Sequence, residues 1–103
     1  MKENMNLNEF KEWVENTKYK FNDEVVFRNT GSTVMAYVQS SGDMCELNPV
    51  SGDILDLISK NIPLKEIIYT RLPEMYDVNI DEVYEDIYYI LKRFIEIKII
   101  EVE

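Results

Sequence analysis

The chain has 103 residues, 46 % of them hydrophobic and 12 % aromatic, a composition typical of one globular domain and not of a disordered chain. It contains no histidine, one cysteine and three glycines, which excludes a Ser-His-Asp triad, a Cys-His pair, an iron–sulfur cluster and a glycine-rich phosphate loop. Its formal net charge is −9, with 11 basic residues among 20 acidic ones, so we expect no nucleic-acid partner.

The first predicted element is a helix within residues 1–20. Its apolar residues recur at spacings of three and four, at Leu7, Phe10, Trp13 and Val14. Asn6, with Glu9 three residues later, resembles a capping box. Two interpretations are open: the helix packs on the rest of the chain, or it is an arm used in dimerisation or docking. We divide the chain into a helical arm, residues 1–20, and a main domain, residues 21–103.

Three strand patterns follow, over residues 25–27, 33–39 and 44–47. They are rich in β-branched, aromatic or alternating apolar residues. Two segments with glycine and small polar residues, 29–32 and 40–43, separate them and are typical of turns. We expect a three-stranded antiparallel sheet in which Cys45 and Leu47 of the third strand point to the core.

Three helices are predicted after the sheet. Asn48 is placed to cap the first helix, and Pro49 to occupy its first position. This helix is expected to end near Asn61, which can adopt the left-handed conformation. The second helix begins at Pro63 and should stop or kink at Pro73. The third and longest runs from about residue 80 to residue 95.

The tail, residues 97–102, is predicted to form either a short strand or an extended cover over the core. The carboxylates that open the third helix, Glu82, Glu85 and Asp86, are interpreted as solvated residues that suit the positive end of the helix dipole. We therefore expect no enzyme activity, no cofactor and no metal. The predicted fold class is α+β, a three-stranded antiparallel sheet followed by three helices, with an extra N-terminal helix.

The third helix carries two apolar rows. Val83, Ile87, Ile90 and Phe94 form the row that we assign to the core. A second row lies about 100° round the helix and consists of Tyr84, Tyr88, Leu91 and Ile95. The second row either widens the core stripe or is only partly covered, in which case it lines a groove beside a sheet edge. Tyrosine suits such a groove because it joins an apolar ring to a polar tip.

Several short motifs accompany the predicted elements. They are Leu47-Asn48-Pro49, Ile54-Leu55, Leu64…Glu66-Ile67, Tyr76-Asp77-Val78 and Asp86-Ile87…Ile90-Leu91…Phe94. These motifs and the order of the elements resemble the PqqD family. The resemblance covers about residues 21–102. The members of this family recognise the leader peptides of ribosomally made, post-translationally modified peptides. The resemblance implies a domain that looks like a winged helix-turn-helix.

The resemblance also implies a function, which is binding without catalysis. Family members bind a precursor's leader as an extra β-strand beside the third strand, in the cleft against the third helix. They present it to a modifying enzyme, often a radical SAM protein. Carried onto this sequence, the leader would pair with the third strand and place apolar side chains on the second row. The implied peptide-binding residues are Met44, Cys45, Glu46, Leu47, Tyr84, Tyr88, Leu91 and Ile95.

Two alternatives come from other observations. The element order alone also fits a winged-helix DNA-binding regulator, which the charge of −9 opposes. A structural subunit could instead form a homodimer through the N-terminal helix and the tyrosine-rich helix. No apolar run approaches the roughly 20 residues that span a bilayer, and the first five residues lack the basic and apolar regions of a secretion signal. We therefore expect a cytoplasmic protein.

Overall fold

The computed structural model describes residues 4–29, 31 and 33–103 and shows a mixed α+β fold, as the sequence predicts. In chain order the elements are α1 (Leu7–Asn16), β1 (Tyr19–Phe21), β2 (Val25–Asn29), β3 (Val34–Val38), β4 (Met44–Leu47), α2 (Pro49–Ser59), α3 (the consecutive segments Leu64–Glu66, Ile67–Arg71 and Leu72–Tyr76), α4 (Ile80–Glu96) and β5 (Ile100–Val102). Residues 1–3 of the predicted arm, and Thr30 and Ser32 of the predicted first turn, lie outside the described residues.

β2, β3 and β4 form an antiparallel sheet with β3 in the middle. Ala36 at its centre is opposite Phe27 on one side and Cys45 on the other. The turn between β3 and β4 depends on Gly42, whose φ of 78° is costly for other residues and whose N–H donates to the Val38 carbonyl over 2.9 Å. This meander confirms the three predicted strands.

A second, two-stranded sheet joins the N-terminal part of the chain to its tail. Tyr19 of β1 is opposite Val102 of β5, and Phe21 is opposite Ile100. The tail is therefore a strand, which was one of its two predicted forms. β1 was not predicted, and the boundary placed between residues 20 and 21 falls inside it. The division into an arm and a main domain stays a prediction.

The helix ends follow the local rules read from the sequence. Asn6 and Glu9 form the predicted capping box of α1, with the Glu9 N–H donating to Asn6 Oδ1 over 2.8 Å. Asn48 caps α2 in the same way, accepting from the Ser51 N–H over 2.8 Å. Asn61 has a φ of 61° after α2, as predicted. The chain can therefore reverse sharply at both ends of this helix.

The second helix was predicted to stop or kink at Pro73, and it does not stop there, because α3 continues to Tyr76. The turn before the proline, Ile67–Arg71, is a wide π-helical turn in which the Leu72 N–H donates to the Ile67 carbonyl, five residues earlier. A proline in a regular α-helix lacks its N–H and collides with the carbonyl four residues before it. The wider turn rearranges those carbonyls, so the helix accepts Pro73 and places Tyr76 near α2.

The core joins the inner face of the sheet to all four described helices. Its buried members include Phe10 and Val14 of α1, Ile54 and Ile58 of α2, Ile67 and Leu72 of α3, and Leu91 and Phe94 of α4. α1 also forms exposed ion pairs with two other helices, Lys11 to Asp81 of α4 over 3.2 Å and Glu15 to Lys65 of α3 over 2.7 Å. α1 therefore packs on the rest of the chain, the first of its two predicted interpretations.

Candidate functional site

β4 lies at one edge of its sheet, and no described strand pairs with its outer side. The Val38 N–H donates to the Asp43 carbonyl over 2.9 Å, so these two residues are a hydrogen-bonded pair. Such pairs alternate along antiparallel strands, and every second residue of β4 therefore directs its backbone groups to β3. The other two, Met44 and Glu46, direct theirs outward. This edge presents two N–H and two C=O groups to an incoming chain.

The side chains of β4 alternate as the sequence predicts. Leu47 is buried and Cys45 is half-buried against the core, whereas Glu46 is exposed and Met44 is 56 % exposed. The Cys45 thiol donates a weak hydrogen bond of 3.6 Å to the Glu46 carbonyl. A carbonyl oxygen has two lone pairs, so it can still accept from another chain. Of the four predicted β4 residues, Met44 and Glu46 thus supply the open backbone edge, while Cys45 and Leu47 pair with β3 and pack toward the core.

α4 passes beside this edge. Burial raises the pKa of the Cys45 thiol, and the positive charge of Arg93 on α4 acts in the opposite direction. The charge of Arg93 has this effect because it lies near the thiol. About one turn earlier on the same side of α4, Ile90 shares a cavity with Asn48 and Val50. α4 therefore passes near Cys45 of β4, and a cleft lies between α4 and the start of α2, beginning at Asn48, the residue that follows β4.

The other apolar side of α4 faces α1. Phe10 of α1 is fully buried, and its ring centre lies 5.7 Å from that of Tyr84 and 6.4 Å from that of Tyr88. Tyr88 is only 7 % exposed and Leu91 is not exposed at all. Of the two interpretations of this row, the wider core stripe therefore holds for Tyr88 and Leu91, because α1 and the core cover them.

The structure does not bring the two predicted groups of residues onto one surface. Tyr84 and Ile95 are half-buried and pack against the core. With about 100° of rotation per residue, the row from Tyr84 to Ile95 lies on a different side of α4 from Arg93 and Ile90. The part of α4 nearest to β4 is thus one that the sequence reasoning had not selected. A role of the tyrosine row in peptide binding stays a prediction.

The cleft contains a cavity of about 320 Å³ between α2, the end of α3 and α4. Its apolar walls include Val50, Leu72, Val78, Val83, Ile87 and Ile90. Val83 and Ile90 were predicted to be core residues, yet both are only half-buried. The signal that could have indicated the cleft is the presence of two apolar rows on one helix, since a core of this size needs only one of them to be fully covered.

Tyr76 forms one end of the cavity and is held in place by α2. Its hydroxyl donates a hydrogen bond to the carboxylate of Asp53. This hydrogen bond, together with burial and the negative charge of Asp53, raises the pKa of Tyr76 to about 12. The hydroxyl therefore remains protonated, and a donor, at neutral pH. The pair joins the end of α3 to the first half of α2 beside the cavity.

The cavity is acidic at its mouth. Asp86 lines it and is exposed to solvent. Within residues 4–29, 31 and 33–103, no side chain forms an ion pair with Asp86. The residues that line the cavity include no lysine or arginine. Tyr89, at 70 % exposure, stands beside Asp86 at the rim. The cleft thus combines an apolar interior with one uncompensated negative charge.

Comparisons with protein-family models, with curated proteins and with solved structures found no match for this chain. Among the described residues, no cluster of three or more potential ligands could hold a metal ion. None of the helices in the described part of the chain combines the length and apolar character that crossing a bilayer requires. The open edge of β4 and the adjoining cleft are therefore the features on which a functional proposal can be based.

Proposed function

We propose that this protein is a winged helix-turn-helix-like, PqqD-like binding domain that captures the leader segment of a precursor peptide and presents it to a modifying enzyme. The observation that carries the proposal is the outer edge of β4, where Met44 and Glu46 direct backbone groups that pair with no described strand toward solvent, and where the chain continues into Asn48 at an apolar cleft. An extended peptide can satisfy those groups by adding a strand to the sheet.

In strand addition the backbone of the peptide provides affinity and its side chains provide selectivity. The backbone groups at the β4 edge attract any extended chain, so they supply affinity without selecting a sequence. Selection requires pockets for alternate side chains of the peptide, and the 320 Å³ cavity can receive one of them. A free leader is disordered and loses conformational entropy on binding. Each apolar side chain that enters the cleft offsets this cost by about 1.5–3 kcal/mol.

In this proposal the domain acts on its partners by binding alone. Neither the β4 edge nor the cavity contains a histidine, and the thiol of Cys45 is held in its neutral form by the rise in its pKa. The chemistry would belong to the enzyme that receives the peptide, for which a radical SAM protein is the family precedent. Such an assembly operates in the cytoplasm, where the precursor is made.

A proline scan of the two free sheet edges tests strand addition. Glu46→Pro removes an outward N–H from β4 and should leave the fold intact, because proline is tolerated on edge strands at positions whose N–H faces solvent. The matched control is Phe27→Pro on β2, at the opposite edge. The Gln39 N–H donates to the Glu24 carbonyl over 3.3 Å, and the alternation of pairs directs the Phe27 N–H outward as well.

The probe is a set of 12-residue peptides selected from a random displayed library against the wild-type protein and then synthesised. We expect Glu46→Pro to weaken their binding at least about tenfold, the equivalent of one lost backbone hydrogen bond and its neighbours, while Phe27→Pro leaves it unchanged. Circular dichroism verifies that both variants are folded. Loss of binding in Phe27→Pro alone would move the site to the β2 edge, and equal binding by both variants would contradict strand addition.

A further inference from the structure

We infer that the segment bound at this site carries an apolar side chain that enters the cavity and, next to it, a lysine or arginine that pairs with Asp86. The inference rests on the proposed function and names the class of peptide that the cleft selects. It depends on three observations, which are the apolar walls, the unpaired carboxylate at the mouth and the acidic surroundings.

The walls determine the first half of the inference. The cavity has the volume of a small-ligand pocket, about 320 Å³, and its interior is formed by aliphatic side chains of α2, α3 and α4. A charged or strongly polar side chain placed against them would lose its hydration without gaining hydrogen bonds. Tyr76 offers no donor, because the one proton of its hydroxyl is already directed to Asp53. The group that fits the interior is therefore a branched aliphatic or aromatic side chain.

The carboxylate at the mouth determines the second half. When an apolar side chain fills the cavity, the bound segment also covers part of the water around Asp86. A buried or half-buried carboxylate without a counter-charge is unfavourable, and the lining provides no basic residue. A cation on the peptide, adjacent to the apolar anchor, supplies the missing charge and a charge-assisted hydrogen bond. A glutamate or aspartate at the same place would be repelled.

The net charge of the whole chain also favours a peptide with a basic residue. The formal net charge of −9 attracts a basic segment and repels an acidic one before contact. Arg93, about two helical turns beyond Asp86 on α4, is the basic residue whose charge acts on Cys45. We therefore expect the basic residue of the peptide to lie near Asp86 and away from Arg93.

Two matched peptides and two matched variants test this inference. From the library selection described above, one binder with an apolar residue next to a lysine is synthesised with that lysine and with glutamine in its place. The proteins are the wild type, Asp86→Asn and the control Glu85→Gln. Glu85 is on the same helix and is exposed, but it does not line the cavity. Each variant removes one negative charge, so the two differ only in the position of the lost carboxylate.

We expect the wild type to bind the lysine peptide about threefold to fivefold more tightly than the glutamine peptide at low salt, the range of a partly exposed ion pair. Asp86→Asn should reduce this ratio to about one, and Glu85→Gln should preserve it. Raising the salt to about 0.5 M should also reduce the ratio in the wild type, because ions screen the pair.

Two results would overturn the inference while leaving peptide capture in place. One is a selected peptide set in which lysine and arginine are not enriched beside the apolar anchor. The other is an equal lysine-to-glutamine ratio in Asp86→Asn and Glu85→Gln. A selection that yields no peptide whose binding depends on the β4 edge would instead overturn the proposed function itself, so the two failures are distinguishable.

Discussion

The two apolar rows of α4 each have two buried and two half-buried residues, but their half-buried residues have different neighbours. On the side that faces α1, Tyr88 and Leu91 are sealed beneath Phe10 and the core. On the side that faces α2, Val83 and Ile90 are half-buried and line a cavity. The difference arises because α1 packs directly on the first side, whereas a cavity separates part of the second side from α2 and the end of α3. An apolar row on a helix therefore indicates a surface to be covered, but not whether the chain itself or a partner covers it.

The largest expected effect is on stability, where substitutions on the two sides of α4 should differ in the free energy of unfolding that they cost. Phe10→Ala should lower the free energy of unfolding by about 3–5 kcal/mol, because it leaves a cavity between α1 and α4. Ile90→Ala on the open side should lower it by less than about 2 kcal/mol, since that side chain is already partly in water. Urea unfolding measures both, and the milder Phe10→Leu keeps the comparison measurable if Phe10→Ala does not fold. Equal losses for Phe10 and Ile90 would contradict the distinction between the sides.

A smaller effect concerns two tyrosines whose pKa values are both raised to about 12, for different reasons. Burial is the cause for Tyr19, whose hydroxyl donates to the Ile62 carbonyl beyond α2. For Tyr76, beside the cavity, the hydrogen bond with Asp53 is the first cause. Because the folded-state pKa exceeds the unfolded value of about 10, each contribution to stability is complete below pH 10 and is lost as the pH rises toward 12.

This difference predicts how the two groups respond to one substitution. In Asp53→Asn the pKa of Tyr76 should fall toward 10, because the carboxylate that accepts its hydrogen bond is gone, whereas Tyr19 should continue to ionise near 12. Tyrosinate absorbance during an alkaline titration follows both, and Tyr76→Phe and Tyr19→Phe assign the two components. An unchanged titration of Tyr76 in Asp53→Asn would show that the pair does not hold the cavity wall as described.

Local features of the fold were predictable from the sequence, because a few neighbouring residues decide them. The caps at Asn6 and Asn48, the left-handed Asn61 and the three strands of the meander belong to this group. They depend on turn-forming residues and on the spacing of apolar residues, both of which can be recognised within a short stretch of sequence.

The features that were missed depend on contacts between distant segments. β1 has three residues and gains its partner from β5, about 80 positions later, so no local pattern indicates it. The π-helical turn before Pro73 reflects the packing of α3 as a whole. The covered and open sides of α4 were exchanged in part because the position of α1 determines them. The β4 half of the candidate site could be selected from the sequence, but the cavity beside it could not.

Amide hydrogen exchange at β4 tests the central claim most directly. The isotope-labelled protein is saturated with a selected 12-residue peptide, and exchange rates are measured residue by residue by NMR. If the peptide adds a strand to this edge, the Met44 and Glu46 amides should exchange at least about tenfold more slowly in the complex, because they become donors in a new ladder, while Phe27 on the opposite edge is unchanged. Binding that leaves both β4 amides at their free rates would contradict capture by strand addition.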